Sequence, residues 1–287
     1  MGKITMSLKK HIQVSDICAV VVIYNVKCED SPTCQALSQM QNIGLHVLIF
    51  DNSTINLQNR EFCLQKGWAY LGGLGNVGLS KAYNASIEYL KQESQIKMVC
   101  LFDDDTHIDV DYFNQLCKIR MSKTSKIYVP LIYSNDRLLS PCVLRPNHTT
   151  KLFHSDLEAI QYDGKNITAI NSCMALDLSL FDDFRYDENI FLDGIDHNFL
   201  MQMKQRNEKI VVFPYSCNHS FSGDLLPTKN AALMRFSIYA KDYRYIFRYN
   251  LFKYLTLLGR RTLHLTLQYR SLCFIKIFLH ILIKMKV

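Results

Sequence analysis

The sequence predicts an α/β fold with a parallel-rich sheet. Short apolar runs alternate with helical stretches over the first two-thirds of the chain, which is typical of parallel-rich sheets. The first run, residues 17–24, is continuous and rich in β-branched residues, and it predicts a strand buried on both faces. With 287 residues, of which 48% are hydrophobic, the chain can bury a substantial core.

The first hundred residues predict four strands and two helices. After the strand at 17–24, a helix is predicted at 31–41, because Ser31 can serve as its N-cap and Pro32 stands at its first helical position. A second helix is predicted at 77–91. Apolar runs predict the other three strands at residues 45–50, 67–71 and 97–102.

The rest of the chain predicts fewer strands and ends in helices. Residues 134–166 are predicted to be irregular, a helix is predicted at 194–205, and Pro214 is predicted to end the last strand. From about residue 228 the pattern is helical, so we expect an α/β domain at 1–228 and a helical, basic region at 229–287. The strands in this half are predicted at residues 127–133, 167–176 and 210–213.

The formal charge of +7 is concentrated at the end of the chain. Residues 241–287 hold ten Lys and Arg side chains and a single acid, Asp242, whereas the other 240 residues hold 23 basic and 25 acidic side chains. A nucleic-acid-binding surface normally belongs to a basic folded domain, so this pattern disfavours a nucleic acid partner. A basic tail on a nearly neutral body indicates contact with an anionic membrane surface.

The apolar residues of this tail predict a helix that lies on a membrane rather than one that crosses it. The last apolar segment, residues 271–283, is too short to span a bilayer and contains Lys276. The alternative is a helical hairpin that packs on the first domain or on a second subunit. Burial of so many Lys and Arg side chains would be costly, which favours the membrane.

The ten cysteines are spread along the chain without a CxxC pair, and several lie within apolar runs. This spacing disfavours a zinc site or a disulfide framework and predicts reduced core residues. No apolar stretch before Ile17 resembles a signal peptide, so a cytoplasmic location is expected.

The strongest local signal is the acidic triplet Asp103–Asp105, which follows directly on the apolar run at 97–102. Open α/β sheets bind ligands at the carboxyl ends of their strands, and hard divalent cations take carboxylate and phosphate oxygens. The triplet is therefore a candidate metal site. The alternative is a solvated acidic turn before the next helix, since Asp109 and Asp111 follow.

A glycine-rich loop precedes the predicted helix at 77–91. Gly73, Gly75 and Gly78 form a GxGxxG pattern, which is typical of dinucleotide-binding turns. Against that interpretation, the loop follows the third predicted strand, and Glu93, the acid about twenty residues further on, does not end a strand. An NAD-linked oxidoreductase is one alternative function, and a plain turn before a capped helix is the structural alternative.

Two acids and a histidine complete the candidate residues. Asp193 and Asp196 lie three residues apart near a predicted helix start, and so share one face of the helix. A carboxylate there can act as a general base, for which Asp196 is the candidate, while Asp193 could simply cap the helix. His219 falls in a predicted loop after the last strand, where a histidine is either functional or solvated.

Five short fragments follow one another along residues 17–220. They are VVIYN at 21–25, FDNST at 50–54, GNVGLSKAYNAS at 75–86, LFDDDT at 101–106 and FLDGIDHNFL at 191–200. In this order they resemble the family 2 glycosyltransferases of the GT-A fold, especially the rhamnosyltransferase-like branch that builds bacterial surface polysaccharides. The resemblance implies a Rossmann-like GT-A fold, in which a mixed, mostly parallel sheet is flanked by helices.

The resemblance also implies a donor site at the ends of the first strands. Tyr24 and Asn25 would line the nucleotide pocket, and Asp51 would hydrogen-bond the edge of the base. Asn76 and Gly78 belong to a loop whose backbone would approach the donor closely. The implied donor is a uridine or thymidine diphosphate sugar, with rhamnose suggested by the branch.

The acidic triplet matches the family's DxD element. Asp105 would bind a divalent cation, Mg²⁺ or Mn²⁺, with His219 as a further ligand, and Asp103 and Asp104 would contact the donor. Asp196 matches the catalytic base, which takes the proton of the acceptor hydroxyl while the anomeric configuration inverts.

The implied function is transfer of a sugar to a lipid-linked oligosaccharide in O-antigen or capsule synthesis, at the inner face of the bacterial plasma membrane. Asp193 would serve the acceptor or support the residues around it. The sequence departs from the family where Gln202 replaces a common basic residue and where Gly194-Ile195 replaces a pair that usually contains an aromatic. A homo-oligomer is compatible with the pattern, and a non-catalytic membrane-bound scaffold is the second alternative function.

Overall fold

The computed structural model describes residues 12–73, 75–123, 125–146, 149–164, 166–219 and 227–284. The elements of the first half are β1 (Ile17–Ile23), α1 (Pro32–Gln39), β2 (His46–Asp51), α2 (Asn59–Lys66), β3 (Ala69–Gly72), α3 (Leu79–Leu90), β4 (Met98–Asp103), β5 (Thr106–His107), α4 (Val110–Ser122) and β6 (Ile127–Ser134). Those of the second half are β7 (Arg137–Ser140), β8 (Cys142–Leu144), β9 (Thr150–Leu152), α5 (Asp156–Gln161), β10 (Ile167–Thr168), β11 (Met174–Asp177), α6 (Ile195–Gln205), β12 (Ile210–His219), α7 (Lys229–Ile246), α8 (Leu251–Tyr269) and α9 (Cys273–Lys284).

The main sheet is mixed and has helices on both faces, which confirms the predicted fold class. Over the described residues its strands follow the order β3-β2-β1-β4-β11-β6-β12-β5, with β7 paired to β6. The strands from β3 to β4 are parallel, and β12 is parallel to β6, whereas β11 runs antiparallel to both of its neighbours. A small second sheet has the order β10-β8-β9.

β1 runs through the middle of the core, and all of its residues are buried. Cys18, Val20 and Val22 pack with residues of α3 and α6, while Ala19 and Val21 pack with residues of α1 and α4. Successive side chains of a strand point to opposite faces, so a strand covered by helices on both faces needs an apolar residue at every position. The prediction of a first strand buried on both faces is confirmed.

The prediction of one strand over residues 167–176 is wrong. The segment forms two strands in different sheets, because β10 pairs with β8 whereas β11 lies between β4 and β6. The chain turns between them at Cys173, which has a left-handed backbone (φ +63°) and whose N–H donates to the Leu101 carbonyl (2.7 Å). An apolar run alone does not distinguish one long strand from two short ones joined by a buried turn.

Residues 134–166 are more regular than predicted, since they contain β7, β8, β9 and α5. These strands are only three or four residues long. A strand of that length is too short to show an alternating pattern, and its pairing depends on residues that are distant in sequence.

Pro214 does not end the last strand, contrary to the prediction. β12 continues to His219, and its register against β6 shifts between Val212 and Ser216. A shift of this kind accommodates proline, because a residue within a bulge need not donate a ladder hydrogen bond.

The helical pattern predicted after residue 228 corresponds to α7, α8 and α9. These helices enclose an apolar cluster that includes Phe236, Tyr254, Leu258 and Phe274. α7 also packs on the main core, through Ile246. In the part of the chain that the structure describes, no helix is both long and apolar enough to cross a membrane. The domain boundary and the membrane contact stay predictions.

Candidate active site

Neighbouring strands bring polar residues to one edge of the main sheet. β4 ends at Asp103, which is level with Val22 of β1, and β2 ends at Asp51, which is level with Ile23. The carboxyl ends of parallel strands meet at the same edge, where such sheets bind ligands. Tyr24 follows β1 between these two acids and is 49% exposed. The structure therefore brings these three candidate residues to a common edge.

Hydroxyl groups hold the acidic turn after β4. Ser31, the N-cap of α1, donates to the Asp104 carbonyl (2.5 Å), and Thr33 donates to the Asp103 carbonyl (2.6 Å). From the other side, the Asp103 N–H donates to Ser172 Oγ (3.3 Å). These bonds fix the backbone of the turn before any ligand binds. No local sequence pattern marks Thr33 or Ser172.

The carboxyl groups of the acidic triplet and of Asp196 lie within electrostatic reach of one another. Burial is the main reason that the pKa of the Asp103 carboxyl rises to about 7. The carboxylates of Asp105, Asp104 and Asp196 raise this pKa as well. Burial and Asp105 raise the pKa of Asp104 to about 6, against the effect of a hydrogen bond from the Tyr24 N–H. Carboxylates that repel one another in a buried site favour a cation among them.

Tyr83, on α3, is a fully buried neighbour of the same carboxyls. Burial, followed by the negative charge of Asp103, raises the pKa of its phenol well above the ordinary value, and Asp196 adds to this shift. The phenol therefore stays neutral beside two acids. Tyr83 lies within the GNVGLSKAYNAS fragment but has no distinctive local pattern of its own.

Asp51 is buried, and its carboxylate already accepts three hydrogen bonds. The donors are the Ser53 N–H (3.0 Å), the Asn59 side-chain amide (3.0 Å) and the Tyr70 hydroxyl (3.1 Å). A carboxylate has about four acceptor positions, so the group can take one further donor.

Asn25 and Asn76 connect the turns around this edge. Asn25 has φ +54°, its N–H donates to Ser53 Oγ (2.8 Å), and its side-chain oxygen accepts from the Thr54 N–H (2.9 Å). Asn76 Oδ1 accepts from Asn52 Nδ2 (3.0 Å). Both asparagines thus have structural partners at the predicted donor site.

Gly78 packs on the loop that precedes α6. Its φ is +85°, and a Cβ there would lie 2.6 Å from Phe191 Cδ2 and 2.8 Å from the Phe191 carbonyl oxygen. The same carbonyl accepts from the Leu79 N–H (2.7 Å). This contact between two loops requires the glycine, whereas the sequence predicted a close approach to the donor. The Cβ position of Gly75 is open to such an approach.

Asp242 of α7 is fully buried and holds this same loop. Its carboxylate accepts the backbone N–H groups of Phe191 (2.8 Å), Leu192 (2.8 Å) and Asp193 (2.7 Å). Arg235, also on α7, donates to the Asp193 carboxylate (2.9 Å). Burial raises the pKa of Asp193, although Arg235 acts in the opposite direction. The sequence showed Asp242 only as the single acid of a basic region.

Asp196 lies in the first turn of α6. The N-cap of this helix is Gly194 (φ +75°) and no side chain caps it, so the alternative in which Asp193 caps the helix is wrong. Asp196 Oδ1 accepts the His197 N–H (2.7 Å). The His197 ring shares a hydrogen bond between its Nδ1 and Thr168 Oγ1 (2.7 Å), which connects α6 to the small sheet.

No protein-family model and no curated protein sequence matches the chain, but solved structures do. GalNAc-T7, crystallised with UDP, GalNAc and Mn²⁺, matches with a TM-score of 0.54 at 13% identity, over 71% of this chain and 43% of that one. Residues 1–349 of S. aureus TarS match with a TM-score of 0.50 at 15% identity, over 86% and 80%. The mannosyltransferase PcManGT from Pyrobaculum calidifontis, crystallised with GDP-Man and Mn²⁺, matches with a TM-score of 0.54 at 12% identity, over 87% and 72%. The chain has the GT-A glycosyltransferase fold.

The chain spans less than half of GalNAc-T7 but most of TarS 1–349 and PcManGT.

In this GT-A sheet the Gly73–Gly78 loop follows β3, which is the edge strand. Dinucleotide-binding turns follow the first strand of their sheet instead. The contact of Gly78 with Phe191 gives the last glycine of the pattern a structural role.

The backbone of His219 lies close to the acidic turn. His219 is the last residue of β12 and pairs with Thr106 of β5, the residue that follows Asp105. The His219 side chain lies outside what the structure describes. Among the described side chains, no group of three or more His, Cys, Asp or Glu is arranged to hold an ion. The assignment of Asp105 and His219 as metal ligands stays a prediction.

Proposed function

We propose that the protein is a glycosyltransferase that moves a sugar from a nucleoside diphosphate donor to an acceptor hydroxyl. The observation that carries the proposal is the group of carboxyls formed by the triplet Asp103–Asp105 and by Asp196 at the carboxyl edge of a GT-A sheet. Hard divalent cations take carboxylate and phosphate oxygens, so one acid of this group, together with His219 and a bound diphosphate, would suit such a cation. The group also supplies a carboxylate that can accept a proton.

Asp105 and His219 would hold the cation, which would be Mg²⁺ or Mn²⁺. The raised pKa of Asp103, about 7, fits this assignment, because a cation offsets the repulsion among the acids. A cation here would stabilise the negative charge that develops on the leaving diphosphate. GalNAc-T7 and PcManGT were crystallised with Mn²⁺, which supports a cation in this fold.

The donor would lie across the ends of β1, β2 and β4. Asp51 has one acceptor position left for the base, and Tyr24 and Asn25 would line the pocket beside it. Asp103 and Asp104 would contact the ribose or the sugar. Asn76 and Gly78 would border the donor on the α3 side. Uridine or thymidine diphosphate is the proposed nucleotide, with rhamnose as the sugar of the branch that the sequence resembles.

Asp196 would act as the general base. The acceptor oxygen would attack the anomeric carbon from the face opposite the diphosphate, and its proton would pass to the Asp196 carboxylate. The bond between the anomeric carbon and the diphosphate oxygen would break at the same time, which inverts the anomeric configuration. Asp193, held by Arg235, would border the acceptor.

The acceptor would be a lipid-linked oligosaccharide of O-antigen or capsule synthesis, met at the inner face of the bacterial plasma membrane. Several large apolar side chains of the last helices are exposed, among them Tyr249, Phe252, Leu267 and Ile283. They lie in the same stretch as the ten basic residues of 241–287. Exposed apolar and basic groups together favour an anionic lipid surface.

The proposal is tested by adding UDP-, dTDP- and GDP-sugars to the full chain with Mn²⁺, Mg²⁺ or EDTA, and measuring melting temperature and donor hydrolysis. We expect one donor class to stabilise the protein only when the cation is present. Asp105→Asn should abolish this stabilisation, whereas Asp111→Asn, which changes an exposed acid of α4, should preserve it. Asp196→Asn should preserve it too but slow hydrolysis by about 10²–10⁴. Absence of any response would overturn the proposal, and metal-independent stabilisation by NAD would favour an oxidoreductase.

A further inference from the structure

A second pocket lies between the small sheet, α6 and the first turn of α8. Its volume is about 370 Å³. Arg145, Lys204 and Lys253 line it, and none of the other described residues that line it is acidic. Arg145 follows β8, Lys204 lies near the end of α6, and Lys253 lies at the start of α8. Three separate parts of the chain therefore contribute one positive charge each to the same pocket.

The three cations have few partners of their own. Lys204 Nζ donates to the neutral side chain of Asn166 (2.5 Å), and Lys253 Nζ lies 5.5 Å from the centre of the Phe247 ring. Burial lowers the pKa of Lys253. Within the described ranges, none of the three cations forms an ion pair with a carboxylate. Lys253 therefore carries a cost of partial burial without a carboxylate partner, and an anion in the pocket would supply that partner.

The pocket is connected to the candidate base. Thr168, which lines the pocket, hydrogen-bonds the ring of His197, the residue next to Asp196 (Thr168 Oγ1 to His197 Nδ1, 2.7 Å). Lys204 follows Asp196 by two turns of α6, which is about 12 Å along the helix axis. A molecule with an anionic group at Lys204 can therefore extend along α6 towards Asp196.

We propose that this pocket binds an anionic group, a phosphate or a carboxylate, of the acceptor. The inference rests on the proposed function, because it assumes that the acceptor hydroxyl reaches Asp196. Arg145 supplies a planar guanidinium and the two lysines supply ammonium groups, and both types form charge-assisted hydrogen bonds with phosphate and carboxylate oxygens. The anionic group would fix the acceptor at a distance from the reacting hydroxyl, and so set which hydroxyl approaches the base.

The test is the binding of two small probes, inorganic phosphate and glucuronate, to the full chain after divalent cations have been removed with a chelator and the chelator has been dialysed away. The chelator removes cations that would otherwise hold phosphate at the acidic triplet. We expect saturable binding by at least one probe, weakened about tenfold or more in Lys204→Gln/Lys253→Gln, because each lost charge-assisted bond costs at least that factor. Arg145→Gln, which removes the charge that follows β8, should weaken binding as well. Lys118→Gln, a charge change at an exposed site on α4, should leave it unchanged.

The preferred probe identifies the source of the anion. Tighter binding of phosphate points to a lipid or sugar phosphate, and tighter binding of glucuronate points to an acidic sugar of the glycan. No binding of either probe, or equal binding by the wild type and all pocket variants, would overturn the inference. Neither binding measurement uses a sugar donor. If the chain fails the donor screen but binds phosphate in this pocket, the proposed function is refuted and the anion site is not.

Discussion

Asp242 satisfies three consecutive backbone N–H groups, those of the loop Phe191–Asp193. Three N–H donors that converge on one point need an acceptor with several lone pairs, and a carboxylate provides about four. A buried N–H without an acceptor is costly, so the loop depends on this side chain for its conformation. Because α6 and Asp196 follow the loop directly, Asp242 is a positioning residue for the proposed base.

Asp242→Asn is therefore expected to weaken both stability and turnover. An amide offers one oxygen to the three N–H groups and turns its own NH₂ towards them, so the free energy of unfolding should fall by about 2–3 kcal/mol. Urea unfolding measures this loss. In the kinetics, kcat of donor turnover should fall while the donor KM changes little, because Asp242 touches the loop and not the donor edge. Asp163→Asn, at an exposed site, is the control and should change neither the free energy of unfolding nor kcat. Equal stability of the Asp242 and Asp163 variants would contradict the role assigned to Asp242.

At the residue scale, the sequence identified the candidates that have a local pattern. Asp103 ends an apolar run, and Asp196 lies at the start of a periodic segment. Both can be found without knowing what packs against them. Thr33, Ser172 and Asp242 contact the site from parts of the chain that are far away in sequence. Their type and spacing are ordinary, so only the folded chain reveals them.

At the scale of elements, β1, β2 and β4 were predictable because helices cover both faces of the sheet at its centre. Such strands are continuous apolar runs, and their burial confirms the pattern. The strands β8 and β9 were not predicted, and β10 was merged with β11 into one predicted strand, since β8, β9 and β10 each have only two or three residues and pair within a separate sheet. The pairing partner, rather than the segment itself, determines structure there.

The contact between the α3 N-terminus and the loop before α6 leads to a prediction at Gly78. Gly78→Ala adds a Cβ that would lie 2.6 Å from Phe191 Cδ2, at a backbone with φ +85°. We expect the free energy of unfolding to fall by about 1–3 kcal/mol, from left-handed strain and from displacement of Phe191. Gly259→Ala, in α8, is the matched control, because its Cβ would meet nothing within 4 Å.

This control should change stability in the opposite direction. Alanine is more favourable than glycine inside a helix by about 0.5–1 kcal/mol, so Gly259→Ala should raise the midpoint of urea unfolding. If Gly78→Ala is as stable as the wild type, Phe191 does not pack on this glycine, and the glycine at the end of the GxGxxG pattern needs another explanation.

At the scale of the whole molecule, α7 belongs to both parts of the chain. It contributes Phe236 to the apolar cluster of the last helices, and Asp242 and Ile246 to the packing of the α/β part. The change in charge pattern near residue 241 therefore does not mark a structural boundary. A chain cut after Lys241 would lose Asp242 and Ile246 together, so contact with lipid is better tested with surface substitutions in the intact chain.

The last helices carry the predicted membrane surface. Leu279 and Ile283 are exposed and lie four residues apart, on one face of α9. Leu279→Ser/Ile283→Ser should weaken binding of the full chain to phosphatidylglycerol vesicles about tenfold or more, because insertion of each apolar side chain into lipid contributes about 1.5–3 kcal/mol. Vesicle sedimentation measures the binding. Leu64→Ser, at an exposed leucine on α2, should leave it unchanged.

Electrostatic attraction should contribute to the same binding. Residues 241–287 hold ten basic side chains, so sedimentation with pure phosphatidylcholine should be weaker than with phosphatidylglycerol, and added salt should reduce the difference. Equal binding to both vesicle types would show that charge plays no part. Two outcomes would contradict the membrane prediction: the full chain sediments with neither type of vesicle, or the α9 variant binds vesicles as tightly as the wild type. The exposed apolar side chains would then contact a protein partner or a second copy of the chain. The oligomeric state in solution distinguishes a second copy from another partner.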